Sequence, residues 1–107
     1  SAASDVYKRQ LRTSVRSYDI VGRIGGDEFV VYLSNVTDRQ NAMAVAEKLC
    51  QVIRGLSTMK KEWSNISASI GISFADHPDI KMEELYISAD KAMYSAKGNG
   101  RDQYQTL

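Results

Sequence analysis

Gly25-Gly26-Asp27-Glu28 sets two carboxylates directly after two glycines. Carboxylate oxygens are hard ligands of the kind that hold Mg²⁺ or Mn²⁺, and Mg²⁺ is usually shared with substrate phosphates. Glycine lacks a Cβ, so Gly25 and Gly26 let a bulky ligand lie almost on the main chain. Taken alone, these four residues are also what polar turns are commonly made of. Two further groups carry charge at suggestive spacing. Lys97 and Arg101 stand four positions apart at the end of an apolar-periodic stretch. Taken alone they suit a helix C-terminus, where a cation is favoured by about 0.3–1 kcal/mol. Arg16-Ser17-Tyr18-Asp19 joins a guanidinium to a carboxylate three residues on. The pair can grip an anion and accept N–H donors, though Arg-x-x-Asp is also an ordinary helix-end ion pair worth little.

The elements around these residues follow from periodicity. Ile20-Val21-Gly22-Arg23-Ile24 and Phe29-Val30-Val31-Tyr32-Leu33 are two β-forming runs flanking the glycines, which predicts a hairpin with an acidic tip. Upstream, Leu11, Val15 and Tyr18 have helical spacing that stops at Asp19. Thr37 followed by Gln40 forms a capping-box pattern, opening a helix with Ala42, Val45, Ala46, Leu49, Ile53 and Leu56 on one face. From Asn65 to Phe74 the chain alternates, with Ile66, Ala68, Ile70, Ile72 and Phe74 opposite Ser67, Ser69, Gly71 and Ser73. This predicts a half-buried strand with a small-residue face. Asp76-His77-Pro78-Asp79 predicts a turn, with His77 a solvated loop residue. Met82, Leu85, Ala89, Ala92, Met93 and Ala96 mark a second amphipathic helix, ended by Gly98-Asn99-Gly100, and 101–104 suits a last short strand. Helix, hairpin, helix, strand, helix in that order predicts an α/β sandwich: one largely antiparallel sheet covered by helices.

A chain of 107 residues makes one domain and buries roughly 60–70% of its unfolded surface. Its 43% hydrophobic and 25% charged content is that of a globular protein, with no apolar run approaching a membrane span. A net charge of +1 argues against a broad surface for DNA or RNA and favours a nucleotide held by a few placed cations. Cys50, the single cysteine, forms no internal disulfide and reads as a small core residue on a helix. Residues 1–10 lack both a methionine and a clear apolar period. Asp5 to Gln10 is similar to a translated sequencing-adapter remnant, which makes a non-native leader and a natural helix start the two readings of residues 1–10.

Gly25-Gly26-Asp27-Glu28-Phe29 resembles the name-giving signature of the GGDEF family of diguanylate cyclases. So do Arg23 ahead of it, Ser69-Ile70-Gly71-Ile72, and Ala89-Asp90-Lys91-Ala92-Met93-Tyr94-Ser95-Ala96-Lys97 followed by Gly100-Arg101. The resemblance runs from about Leu11 to Gln103. It implies a palm-like, ferredoxin-related nucleotide-cyclase fold, truncated at its N-terminus. It also implies condensation of two GTP into cyclic di-GMP with Mg²⁺ or Mn²⁺, each subunit of an antiparallel homodimer presenting one GTP. On that basis Asp27 is a metal ligand, while Glu28 joins the metal shell or assists deprotonation. Gly25 and Gly26 leave room for sugar and phosphate, and Lys97 and Arg101 contact the β- and γ-phosphates. Arg16 and Asp19 form the inhibitory site for the product. The family's upstream strand, which carries an Asp metal ligand and leads to guanine-binding Asn and Asp, has no counterpart here. Residues 11–107 therefore read as a partial GGDEF domain, expected to be inactive alone. In the full-length protein it would be a cytoplasmic domain, joined to a sensor domain and open to membrane anchoring. A non-catalytic domain that binds GTP or cyclic di-GMP as a regulatory module is the alternative, and a purely structural or dimerisation role is a third.

Overall fold

The computed structural model describes residues 2–16, 19–25, 28–33 and 36–106. Their order is α1 (Ala2–Ser14), β1 (Ile20–Gly25), β2 (Glu28–Tyr32), α2 (Arg39–Leu56), a 3₁₀ turn at Lys61–Trp63, β3 (Ser69–Ile72), α3 (Met82–Gly98) and β4 (Gln103–Thr106). This is the expected order, with α1 running continuously through residue 10.

Among the described residues the strands form two two-stranded sheets rather than the single antiparallel sheet expected from the pattern. β1 and β2 pair antiparallel as a hairpin, whereas β3 and β4 pair parallel, Ser69 opposite Gln103 and Ile72 opposite Thr106. The parallel pairing has a plain cause: α3 separates β3 from β4, and a helical crossover returns the chain in the same direction. The last strand therefore begins at Gln103, two residues later than the sequence suggested. An open cavity of about 450 Å³ lies where Tyr32, ending β2, meets Ala75, Pro78 and Leu85 from the segment after β3 and the start of α3.

The core lies along α2, whose Ala42, Ala46, Leu49, Cys50, Ile53 and Leu56 are buried, together with Ala92 and Ala96 of α3. α3 packs on β3 and β4, while α2 touches β4, β3 and α1. The predicted face of α2 is the face that is buried, except that Val45 is only half-buried and Cys50 joins it. The Cys50 thiol is pushed up to about 11, first by burial and then by the carboxylates of Glu47 and Asp102. α2 starts one residue later than the capping-box reading placed it. Asp38 is the N-cap, its Oδ1 accepting from the Gln40 amide at 2.9 Å, an anion favoured at a helix N-terminus. α1 ends at Ser14, short of the expected Tyr18. There the Thr13 and Ser14 hydroxyls both donate to the Gln10 carbonyl, a local bond that competes with helix continuation. Met82, placed on the inner face of the second helix by periodicity, is 63% exposed at its first turn.

The small-residue face of β3 is a helix-packing face. A Cβ built on Gly71 would sit 1.8 Å from the Ala89 carbonyl oxygen and 2.4 Å from the Met93 amide nitrogen of α3. Two positions on, the Ser73 hydroxyl donates to the Leu85 carbonyl of the same helix at 2.7 Å. Strand and helix thus approach at backbone distance, which only glycine permits. Gly71→Ala is expected to destabilise the fold by about 3 kcal/mol or more, because backbone rather than a yielding side chain blocks the new methyl. Gly55→Ala on α2, where nothing lies within 4 Å of the added Cβ, is expected to stabilise by about 0.5–1 kcal/mol. Chemical denaturation of both variants checks the pair; equal effects would contradict the packing assigned to Gly71.

Candidate nucleotide site

The Gly-Gly-Asp-Glu stretch rides on the β1–β2 hairpin. Ladder pairs run from Ile20 opposite Tyr32 to Arg23 opposite Phe29, and the next pair is Gly25 opposite Glu28. One extra residue, Ile24, is therefore inserted on β1, a bulge that twists and re-aims the end of the hairpin. Gly25 and Glu28 are described through their backbone; Gly26 and Asp27, which connect them, lie outside the described residues. The cavity beside Tyr32 is at the opposite end of β2, roughly 13 Å from Glu28 along a five-residue strand.

Lys97 and Arg101 flank the end of α3. Lys97 lies in the last turn, its Nζ 5.7 Å from the centre of the Tyr94 ring, a cation–π contact on a largely exposed aromatic. Past the helix end the Gly100 amide donates to the Lys97 carbonyl and the Arg101 amide to the Ala96 carbonyl, a Schellman closure. Gly100 takes φ 110°, as this closure requires of its glycine. Arg101 is thereby held by its main chain immediately beyond the helix, with its side chain exposed. Arg54 of α2 makes a two-pronged ion pair with Asp102, the residue after it. Hydrogen bonding to Asp102 holds the Arg54 guanidinium above even its usual high pKa.

Arg16 and Asp19 are brought together, Arg16 Nε lying 3.8 Å from Asp19 Oδ2. The Asp19 carboxylate also accepts from the Arg16 amide at 2.9 Å, and the Asp19 amide donates to the Arg16 carbonyl at 3.0 Å. The Asp19 side chain is only 1% exposed, against 53% for Arg16. Its burial places Asp19 in the framework of the turn, leaving Arg16 as the accessible member of the pair. Sequence reasoning missed Arg12, whose guanidinium donates to the carbonyls of both Arg16 and Asp19. The available signal was its position one helical turn before Arg16. The Arg54–Asp102 pair, 48 residues apart, left no signal at all.

The family model for the diguanylate cyclase GGDEF domain matches residues 6–103. The chain belongs to the GGDEF family. Over 95 residues it is 40% identical to the bifunctional diguanylate cyclase/cyclic di-GMP phosphodiesterase MucR of Pseudomonas aeruginosa, covering 89% of this chain and 14% of that protein. It is 35% identical to diguanylate cyclase A of Treponema denticola, over 95% of this chain and 29% of that protein. The chain therefore spans less than a third of the length of either relative. Its structure is similar to the active GGEEF domain of a diguanylate cyclase from Vibrio cholerae, with a TM-score of 0.78 at 26% identity, covering 96% of this chain and 67% of that one. The α/β fold expected from the family resemblance is thereby shown.

Proposed function

We propose that this GGDEF domain, within the protein that carries it, condenses two GTP into cyclic di-GMP with release of pyrophosphate. What supports this most directly is the uninterrupted Gly25 to Phe29 signature on a bulged hairpin of a GGDEF-family chain that has diguanylate cyclases among its relatives. The carboxylate pair fits Mg²⁺ or Mn²⁺ by the chemistry of its donors, and such an ion lowers the pKa of an attacking hydroxyl and neutralises charge on phosphate. Asp27 would hold the ion, and Glu28 would join it or take the proton of the 3′-hydroxyl. Gly25 and Gly26 leave space for the sugar and phosphate against the main chain. Lys97 and Arg101 bind the β- and γ-phosphates, orienting the nucleotide so that its α-phosphate faces the hydroxyl of a second GTP. A homodimer brings the two nucleotides together.

Arg16 is the exposed contact of the proposed product-inhibition site. A guanidinium grips phosphate or the Hoogsteen edge of guanine bidentately. Asp19 shapes the turn beneath it.

In the protein carrying this domain, Asp27→Ala is expected to lower cyclic di-GMP formation by at least about a hundredfold with the melting temperature unchanged. Normal turnover in that variant would overturn the reading. Product inhibition is expected to disappear in Arg16→Ala, whose side chain is half exposed, without loss of stability. Asp19→Ala is the less clean test, since losing a buried acceptor costs about 1–3 kcal/mol of folding. Inhibition that persists in Arg16→Ala would remove the inhibitory site from this turn.

A further inference from the structure

The turn that carries Arg101 holds three successive residues at positive φ: Gly100 at 110°, Arg101 at 65° and Asp102 at 49°. Only the first is a glycine. For a residue with a Cβ the left-handed region is disfavoured, and a run of this kind persists where its surroundings hold it in place. Backbone bonds secure the two flanks. The Arg101 amide donates to the Ala96 carbonyl at 2.9 Å, and the Gln103 amide donates to the Ala68 carbonyl at 3.1 Å, starting β4. Between them stands Asp102, and there the hold comes from α2. Arg54 Nε lies 2.9 Å from Asp102 Oδ2 and Arg54 Nη2 lies 3.1 Å from Oδ1. A planar fork on both oxygens of a carboxylate fixes its orientation as well as its distance. The base of the fork is firm, because Arg54 is flanked on α2 by Ile53 and Leu56, both buried.

We infer that Arg54 and Asp102 are positioning residues for nucleotide binding: their ion pair clamps the left-handed turn and so aims Arg101 at the phosphates. This rests on the reading of Arg101 as a phosphate contact. Neither clamp residue touches the nucleotide. As a bare surface pair, with side chains 49% and 37% exposed, it would add little to folding. Its role is conformational, so its effect is expected in GTP affinity more than in melting temperature. Lysine at position 54 offers one charge point instead of a fork and restores the clamp only in part.

The test measures affinity for GTP by calorimetry, using a GTP analogue with an uncleavable bridge between its α- and β-phosphates and with Mg²⁺ present, in the protein carrying this domain. Arg101→Ala is expected to weaken binding about tenfold. Arg54→Met is expected to weaken it about three- to fivefold, Arg54→Lys less. Combined with Arg101→Ala, Arg54→Met should add nothing further, because it acts through the residue already removed. Hydrogen exchange at the Arg101 amide should quicken in Arg54→Met while the amides of the α2 core keep their protection. Asp102→Gly removes the clamp while relieving the backbone, so it is the variant that folds if Arg54→Met does not, and it should show the same loss of affinity. If Arg101→Ala weakens binding while the clamp variants bind as wild type, or weaken it independently of Arg101, the clamp is overturned and the phosphate reading stands. If Arg101→Ala binds GTP unchanged, the phosphate reading falls and the clamp's role with it.

Discussion

The approach of β3 to α3 at Gly71 is the constraint on which the rest of this GGDEF domain depends. With a Cβ at that position 1.8 Å from a helix carbonyl, the strand and helix can meet as they do only with glycine between them. From that contact follow the line of α3 across the parallel β3–β4 pair and the place where the helix ends. That end carries Lys97 and Arg101. A packing contact in the fold's interior thus decides where the cations proposed for the nucleotide phosphates stand.

Arginines do the corresponding work at the edges. α2 is tied near both ends to the β3–α3–β4 unit. At its start Arg39 lies 4.3 Å over the Phe74 ring and pairs with Asp76, just after β3. At its end Arg54 holds Asp102, just before β4. Arg12 reaches from α1 to two carbonyls around the Arg16–Asp19 turn in the same manner. In each case a charged fork anchored on a helix fixes a connecting segment, and two of the three segments carry residues proposed to meet a ligand. Exposed ion pairs of this kind add little to overall stability. Their consequence is local: they reduce the conformations open to loops that the hydrophobic core does not reach.

Much of this was legible in the sequence because it is periodic. Most of the buried face of α2 and the two strands flanking Gly25-Gly26 follow from side-chain spacing alone, while Cys50 read as a core residue from its type and its place on the helix. The small-residue face of β3 was visible too, but its meaning was not. Glycine and serine look alike whether they face water or a helix backbone, and only the packing of α3 distinguishes the two. The parallel pairing of β3 with β4 was obscured because alternation reports which side of a strand is buried and says nothing of the partner's direction. The N-cap shifted from Thr37 to Asp38 since neighbouring residues both suit the role and backbone geometry selects one. Asp19 read as an open ligand and is buried within its turn, while Arg54 is paired with Asp102, 48 residues away in the chain. Both outcomes depend on tertiary placement, which local patterns do not encode.

The claim that the hairpin carboxylates and the end of α3 serve one nucleotide is tested most directly by Mn²⁺ relaxation in the NMR spectrum of the protein carrying this domain. With a GTP analogue whose bridge between the α- and β-phosphates cannot be cleaved, the account predicts selective broadening of the Gly25–Glu28 amides together with those of Lys97 and Arg101, and loss of both effects in Asp27→Ala. Broadening confined to one of the two clusters, or unchanged in Asp27→Ala, would contradict it.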